Sequence, residues 1–138
     1  MKVLMCHEEL FQIDLTGMHY LITGANCGIG YETAKQLYKQ GATVILACRD
    51  REKANQSCET IRSEVDHHSG DLHPMDLDLA SLKSIREFAA SYLRKYDKLH
   101  GLVNNAGVMN ISKQQTQDGF EMHLGVNHCG HFLLTNLL

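Results

Sequence analysis

The sequence predicts an α/β protein with a doubly wound parallel sheet, and three observations lead to this prediction. Apolar runs of strand length alternate four times with amphipathic segments of helix length, which is typical of a parallel sheet covered by helices. A glycine-rich turn joins the first strand to the first helix. The chain has 138 residues, of which 43% are hydrophobic, and this suits one domain or part of one.

Composition and charge exclude several classes of protein. The chain is too hydrophobic, and its formal net charge of −3 is too small, for a disordered protein. No tract approaches the ~20 apolar residues of a membrane-spanning helix, and the basic field that nucleic acid requires is absent. The five cysteines are odd in number and contain no Cys-x-x-Cys pair, so we interpret them as thiols of a reducing compartment, with the cytosol as the default location.

The N-terminal part of the chain contains a lead-in, a strand and a helix. Residues 1–16 have a single Lys, and acidic residues interrupt their apolar positions, so we expect a lead-in rather than a signal peptide or membrane anchor. The domain then covers residues 17–138. Met18–Thr23 predicts the first strand, and Ile29–Gln40 predicts a helix that stops at Gly41.

The middle of the chain predicts the next two strands and the helix between them. Thr43–Ala47 is a continuous apolar run, which is typical of a strand buried on both faces. The helix that follows has an apolar stripe formed by Ala54, Cys58, Ile61 and Val65. Leu72–Leu77 predicts the third strand, and Pro74 favours a place at the sheet edge because it lacks a backbone donor.

The last part of the chain predicts two more helices around a fourth strand at Leu99–Asn104. The third helix has an apolar face formed by Leu82, Ile85, Ala89, Tyr92, Leu93 and Tyr96. The last helix begins near Asp118 and has a stripe formed by Phe120, Leu124, Asn127, His131, Leu134 and Leu138. No stop signal follows it, so we expect an incomplete sheet. The expected strand order is 3-2-1-4, with the strand that contains Pro74 outermost.

The turn after the first strand reads Thr23-Gly24-Ala25-Asn26-Cys27-Gly28-Ile29-Gly30. Gly24 allows a tight turn, Gly28 lets the backbone approach a pyrophosphate, and Gly30 lets the helix pack closely. The N–H groups of the helix N-terminus favour an anion. The turn therefore predicts a Rossmann-like dinucleotide site formed by Gly24, Asn26, Cys27, Gly28, Ile29 and Gly30. The alternative is a strand-to-helix turn without a ligand.

Several motifs in fixed order carry a family resemblance. The turn has the spacing Gly-x-x-x-Gly-x-Gly, and after it come Ala47-Cys48-Arg49-Asp50, Asp76-Leu77, Asn104-Asn105-Ala106-Gly107, Asp118-Gly119-Phe120-Glu121 and Val126-Asn127-His128-Cys129-Gly130-His131-Phe132. Together they resemble the N-terminal, cofactor-binding half of the short-chain dehydrogenase/reductase family, in its retinol dehydrogenase-like branch. The resemblance implies an oxidoreductase that interconverts an alcohol and a carbonyl on a small lipophilic substrate, such as retinol and retinal.

The end of the second strand predicts the choice of cofactor. An NAD enzyme of this fold has an acidic residue there, which binds the ribose hydroxyls and repels a 2′-phosphate. Cys48 takes that place, and Arg49 follows with a guanidinium that can bind phosphate oxygens, so NADP(H) is favoured over NAD(H). The alternative for Arg49 is a solvated surface charge. The resemblance implies further that Asp76 and Leu77 lie by the adenine ring and that Asn105, Ala106 and Gly107 line the cofactor cleft.

The resemblance also assigns Asn127 a catalytic role, as the helix Asn that holds a water in the proton relay. The alternative is a buried amide with satisfied hydrogen bonds. We interpret Asn104 as a structural contact at the strand end.

The catalytic Tyr-x-x-x-Lys of the family lies beyond the last helix. The one literal match here is Tyr31 to Lys35 in the first helix, which we interpret as surface residues. The chain alone is therefore predicted to be inactive.

Nine histidines raise the question of a metal, but His67, His68 and His73, like His128 and His131, lack accompanying Glu or Cys ligands, so no metal site is predicted. A non-catalytic truncated isoform that binds cofactor or a protein partner stays open as a second function, and so does an incomplete gene model. A homo-oligomer and membrane association of a longer form are also left open.

Overall fold

The structure is a computed structural model that describes residues 7–65, 70–109 and 112–138. A short 3-10 helix comes first and four β–α units follow. In chain order the elements are the 3-10 helix (Glu8–Gln12), β1 (His19–Thr23), α1 (Gly28–Lys39), β2 (Thr43–Cys48), α2 (Arg51–Glu64), β3 (Asp71–Asp76), α3 (Leu82–Lys95), β4 (Gly101–Val103), a π-helix (Leu124–Gly130) and α4 (His131–Leu137).

The four strands form one parallel sheet in the order β3-β2-β1-β4, which confirms the predicted order. In the register of the sheet, Leu21 of β1 lies between Ile45 of β2 and Leu102 of β4. Pro74 lies opposite Leu46 in β3, at the edge of the sheet. An edge position suits proline because its nitrogen cannot donate to a further strand.

The hydrophobic core has two halves, one on each face of the sheet. Successive strand residues point to opposite faces, so Ile22 packs into the half covered by α1 and α2, and Leu21 into the half covered by α3 and α4. β2 contributes Val44 and Leu46 to the first half and Ile45 to the second. This double burial explains why the sequence of β2 is a continuous apolar run.

Side-chain caps begin two of the helices. The Asp50 carboxylate accepts from the Lys53 N–H at 3.0 Å at the start of α2, and the Ser81 hydroxyl accepts from the Ser84 N–H at 3.3 Å at the start of α3. The prediction for the apolar face of α3 is wrong at one position. Leu93 is 56% exposed, because it lies about 100° around the helix from the buried Tyr92.

The predicted start of the last helix is also wrong. Asp118 and Gly119 lie in a turn, in which Gly119 has a φ of +84°, and the chain becomes helical at residue 122. Asp118 instead accepts a hydrogen bond from the Leu82 N–H at 2.8 Å, at the start of α3. Glycine with positive φ cannot continue a right-handed helix, so the polar pattern near Asp118 marks a turn rather than a helix start.

The predicted apolar stripe of this helix is only partly correct. His131 and Leu134 are buried, but Leu124 is 51% exposed, and Phe120 and Asn127 are exposed as well. Within the π-helix the buried residues are Gly125, Val126 and Gly130. Hydrogen bonds in a π-helix run from i to i+5, so a stripe drawn with a period of 3.6 residues loses its phase across this segment.

The described cysteines, Cys27, Cys48, Cys58 and Cys129, are free thiols, whereas Cys6 lies outside the described residues. Cys48 and Cys58 are buried in the half of the core under α2, and Cys27 is exposed at the start of α1. In the described parts of the chain, none of the helices combines the length and the apolar character needed to cross a membrane.

Candidate cofactor site

A cavity of about 180 Å³ lies at the carboxyl ends of the strands. Its wall includes residues from the ends of all four strands and from the last helix. Six of the residues predicted to bind cofactor line it, namely Gly24, Asn26, Arg49, Leu77, Ala106 and Gly107. In open α/β sheets, ligands bind in the crevice outside the carboxyl ends of the strands, so the cavity lies where the fold provides a ligand site.

The other predicted residues do not line this cavity. Cys27, Gly28 and Ile29 are exposed on the first turn of α1, where Ile29 is 81% exposed. Gly28 and Ile29 also line a larger groove of about 750 Å³ between the 3-10 helix and α1. Asp76 is exposed at the end of β3, where its carboxylate pairs with Arg51 at 3.4 Å.

The glycine turn has distinct requirements at Gly28 and Gly30. Gly28 has a φ of +56°, and a Cβ added to it would meet no atom within 4 Å, so the backbone at the start of α1 faces open space. At Gly30 a Cβ would lie 2.5 Å from Nδ2 of Asn105 and 2.7 Å from the carbonyl oxygen of Gly24. The turn is therefore open on the side of the helix N-terminus and tightly packed behind it.

Arg49 is exposed at the end of β2, beside the cavity. Its charged neighbours are already paired, Asp50 with Lys53 and Arg51 with Asp76, each at 3.4 Å. No carboxylate of the described residues lies within ion-pair distance of the Arg49 guanidinium. A positive charge next to the cavity is thus available to an anionic ligand.

Cys48 occupies the position at which an NAD enzyme of this fold has an acidic residue. It is buried, and burial raises the pKa of its thiol to about 11. The side chain is therefore neutral at physiological pH. A 2′-phosphate near Arg49 would meet no negative charge from this position.

Asn105 holds the glycine turn from behind. Its Nδ2 donates to the carbonyl oxygens of Thr23 at 2.9 Å and Gly24 at 3.3 Å, and its backbone N–H donates to Oγ1 of Thr23 at 3.0 Å. The neighbouring Asn104 is exposed and donates from Nδ2 to Oγ1 of Thr135 at 3.0 Å, a structural contact between the end of β4 and α4. The Asn105 amide therefore positions the backbone of the turn, whereas the Asn104 amide joins two elements through the Thr135 side chain.

Thr23 is a central residue of the site that the sequence analysis did not identify. Its side chain is fully buried, and Oγ1 accepts from the N–H groups of Asn105 at 3.0 Å and Ala106 at 2.9 Å. The same oxygen lies 2.9 Å from Nε2 of His131. The signal in the sequence was a hydroxyl at the end of an apolar strand. A residue of such a strand is buried, and a buried polar group needs hydrogen-bond partners.

Asn127 is exposed and is not the buried amide that the alternative interpretation expected. Its Oδ1 accepts from the N–H of Val108 at 2.8 Å, and its Nδ2 donates to the carbonyl oxygen of Val108 at 3.0 Å. These two bonds fasten the loop after β4 to the π-helix. Loss of phase across the π-helix explains the unexpected exposure.

Tyr31 and Lys35 lie on α1 and contact α2 through Glu64. Lys35 Nζ pairs with the Glu64 carboxylate at 2.7 Å, and the Tyr31 hydroxyl donates to the same oxygen at 3.2 Å. Burial and the bond to Glu64 raise the pKa of Tyr31, whereas a proton donor of this type needs a lowered value. The pair thus ties two helices together.

No group of three or more His, Cys, Asp or Glu side chains among the described residues could hold a metal ion. His67 and His68 lie outside the described residues. His131 was predicted on the apolar stripe of the last helix and was also weighed as a metal ligand; in the structure it contacts Thr23 and the Asn127 carbonyl oxygen.

The fold and the turn together define a doubly wound α/β domain with a glycine-rich turn at the carboxyl end of its first strand. The family model described as short chain dehydrogenase matches residues 18–138. The chain belongs to the short-chain dehydrogenase family.

Comparison with individual proteins agrees with this assignment. The chain is 53% identical over 125 residues to retinol dehydrogenase 13 of Homo sapiens, an alignment that covers 90% of this chain and 37% of the relative. The chain thus spans well under half the length of that relative.

Solved structures have the same fold. A crystal structure of an uncharacterized protein from Mycobacterium Paratuberculosis superposes with a TM-score of 0.80 at 40% identity, and the match covers 92% of this chain and 43% of that one. A metagenomic short-chain oxidoreductase in complex with NADP superposes with a TM-score of 0.76 at 29% identity, covering 90% of this chain and 56% of that one.

Proposed function

We propose that this chain is the NADP(H)-binding half of a short-chain oxidoreductase that interconverts an alcohol and a carbonyl on a small lipophilic substrate. In this proposal residues 17–138 form the N-terminal half of the catalytic domain, and residues 1–16 are a lead-in. The observation that carries the proposal is the guanidinium of Arg49, which lies beside the cavity and next to the neutral Cys48 and has no ion-pair partner among the described residues. Similarity to human retinol dehydrogenase 13 supports the substrate class, and the NADP complex of a structural relative supports the cofactor.

The residues of the glycine turn fit a dinucleotide. The open space in front of Gly28 and the free N–H groups of the first turn of α1 suit a pyrophosphate. Arg49 would bind a 2′-phosphate, and Leu77 and Ala106 would form apolar wall near the rings. When bound, NADPH supplies the hydride for carbonyl reduction and NADP⁺ accepts it in alcohol oxidation.

Chemistry at the carbonyl also needs a proton donor, and the described residues that line the cavity include no tyrosine, lysine or serine. The single Tyr-x-x-x-Lys, at Tyr31 and Lys35, is bound to Glu64 on α2. We therefore expect that the 138-residue chain alone binds cofactor but does not reduce retinal above a cofactor blank. This also agrees with the second candidate, a non-catalytic cofactor-binding protein. Location in the cytosol, membrane association of a longer form and a homo-oligomer stay predictions.

Cofactor binding by Arg49→Ala tests the proposal. A charge-assisted, bidentate bond to phosphate contributes about 1.5–3 kcal/mol, so the substitution should weaken NADPH binding about 10- to 100-fold. NADH lacks the 2′-phosphate, and its Kd should change less than about twofold by the same reasoning. Both constants are measured by titration of cofactor fluorescence.

Two further variants control this experiment. Arg49→Lys keeps the charge without the planar fork, so its loss for NADPH should be intermediate. Arg94→Ala removes an exposed arginine from the last turn of α3 and should leave both constants unchanged. Equal losses for NADPH and NADH in Arg49→Ala, or a wild-type preference for NADH, would contradict the proposal.

A further inference from the structure

The buried imidazole of His131 connects two parts of the site. Its Nε2 lies 2.9 Å from Oγ1 of Thr23, and its Nδ1 lies 3.1 Å from the carbonyl oxygen of Asn127. His131 is 6% exposed and Thr23 is fully buried, so water does not compete for these contacts. The ring therefore bridges the end of β1 and the π-helix, which are separated by 108 residues between Thr23 and His131.

The backbone at His131 departs from regular α-helical hydrogen bonding. In an α-helix the N–H of residue 131 would donate to the carbonyl oxygen of residue 127. Here the N–H of His131 donates to the carbonyl oxygen of His128. The carbonyl oxygen of Asn127 lies 3.1 Å from Nδ1 of the His131 imidazole.

The two contacts determine the tautomer of the ring. A carbonyl oxygen only accepts hydrogen bonds, so Nδ1 of His131 must carry a proton. In the neutral imidazole Nε2 is then unprotonated and accepts from the hydroxyl of Thr23. Burial lowers the pKa of His131, which agrees with a neutral ring.

This tautomer gives the hydrogen and both lone pairs of the Thr23 hydroxyl a partner, and the N–H of Asn105 also donates to the carbonyl oxygen of Val103 at 2.9 Å. A hydroxyl has one hydrogen and two lone pairs. The lone pairs accept from the N–H groups of Asn105 and Ala106, and the hydrogen goes to Nε2 of His131. The other acceptor in reach is the carbonyl oxygen of Val103, at the long distance of 3.4 Å.

We propose that His131 is a positioning residue of the cofactor site: it fixes the rotation of the Thr23 hydroxyl, so that both lone pairs hold the Asn105–Ala106 backbone, and it anchors the carbonyl of Asn127. This inference rests on the proposed function, because Ala106 and Gly107 line the cavity to which the cofactor is assigned. His131 acts through Thr23, and does not line that cavity itself.

The tautomer is tested without cofactor by NMR of the ¹⁵N-labelled chain. We expect a protonated Nδ1 and an unprotonated Nε2 at His131 near neutral pH, and a shift of the Nε2 resonance in Thr23→Val, which lacks the hydroxyl. A ring protonated at Nε2, whether neutral or charged, contradicts the inference. So does an Nε2 resonance that is unchanged in Thr23→Val.

The positioning role is tested with two variants. His131→Gln keeps an acceptor for the Thr23 hydroxyl, whereas His131→Leu fills the space without one. We expect the backbone amide resonances of Asn105 and Ala106 to move in His131→Leu and to stay near their wild-type positions in His131→Gln. The NADPH Kd should rise about tenfold in His131→Leu and less than about twofold in His131→Gln.

The Thr23→Val background separates this role from simple packing. Without the hydroxyl there is nothing for residue 131 to orient, so the Leu and Gln variants should then bind NADPH equally. Equal losses for the two variants in the presence of Thr23 overturn the inference. If the wild-type chain does not bind NADPH, the proposed function fails, while the amide resonances of the two variants still decide whether His131 positions this backbone.

Discussion

The two sides of this molecule are held together differently. The glycine-turn side comprises β2, β3, α1, α2 and the turn itself, and apolar packing dominates it: Val44, Ile45 and Leu46 of β2 are all fully buried. The π-helix side comprises β4, the loop up to residue 109, the π-helix and α4. There β4 has three half-buried residues and, among the described residues, pairs with one strand, β1.

On the π-helix side, side-chain hydrogen bonds add to the apolar packing of residues such as Val126 and Leu134. Thr23, His131, Asn105 and Asn127 join β1, the loop after β4 and the π-helix through side-chain bonds of 2.8 to 3.3 Å. Apolar burial has no preferred direction, whereas a hydrogen bond requires a defined distance and angle. The backbone that lines the cavity is therefore positioned by directional contacts, and the sheet that carries it is positioned by packing.

The largest expected effect compares the packing of the two sides through the same substitution. Leu46 in β2 and Leu134 in α4 are both fully buried. Leu46→Ala should lower the free energy of unfolding by about 5 kcal/mol and Leu134→Ala by about 3 kcal/mol, because β2 is fixed between two strands while α4 can move to fill a cavity. Urea denaturation followed by circular dichroism measures both. A loss of unfolding free energy at Leu134 that equals or exceeds the loss at Leu46 would show that α4 is held as rigidly as β2.

A smaller effect is expected inside the glycine turn, where the two sides meet. Gly30→Ala places a Cβ 2.5 Å from Nδ2 of Asn105 and should cost about 3 kcal/mol, because the opposing atoms are held by hydrogen bonds. Gly28→Ala is the matched control, with open space around its Cβ and only backbone strain of about 1 kcal/mol from its positive φ. The same denaturation experiment measures both, and similar costs would show that the turn is not rigidly packed.

The sequence predicted the glycine-turn side well because its signals are local. A continuous apolar run predicted β2, one proline predicted the edge strand, and the alternation of strands and helices predicted the parallel sheet. It predicted the last helix poorly. A turn at Gly119 and a π-helix from Leu124 depend on how the chain packs against α3 and β4, and a period of 3.6 residues cannot represent them.

The same distinction applies to the candidate site. Gly24, Arg49 and Leu77 could be proposed as cofactor residues because each belongs to a short motif at a strand end, and the structure places them around one cavity. Thr23 and His131 could not, since the contact between them joins residues 108 positions apart, and the other partners of the Thr23 hydroxyl lie 80 to 83 residues away in the chain. A buried threonine signals that partners exist but does not say which residues they are.

The smallest expected effect concerns exposed carboxylates, one on each side. Glu121, before the last helix, accepts from the N–H groups of Leu124 at 2.9 Å and His123 at 3.0 Å, and these bonds lower its pKa to about 2. Its contribution to stability should therefore be complete above its ordinary pKa of 4.5 and should disappear as the pH falls to about 2. Glu121→Gln should flatten the dependence of unfolding free energy on pH across this interval, measured by urea denaturation at a series of pH values.

Glu64→Gln is the control on the glycine-turn side, where the bond to Lys35 lowers the pKa of Glu64. The effect of Glu64→Gln on the unfolding free energy should shrink in 1 M salt. At this concentration the Debye length is about 3 Å, so the exposed ion pair is screened. Glu121 also lies 2.7 Å from Nδ1 of His123, so only the part of its effect that comes from the two neutral backbone N–H groups should persist there. An equal salt dependence of the two variants would show that charge pairing, rather than directional bonding to the backbone, stabilises the start of the last helix.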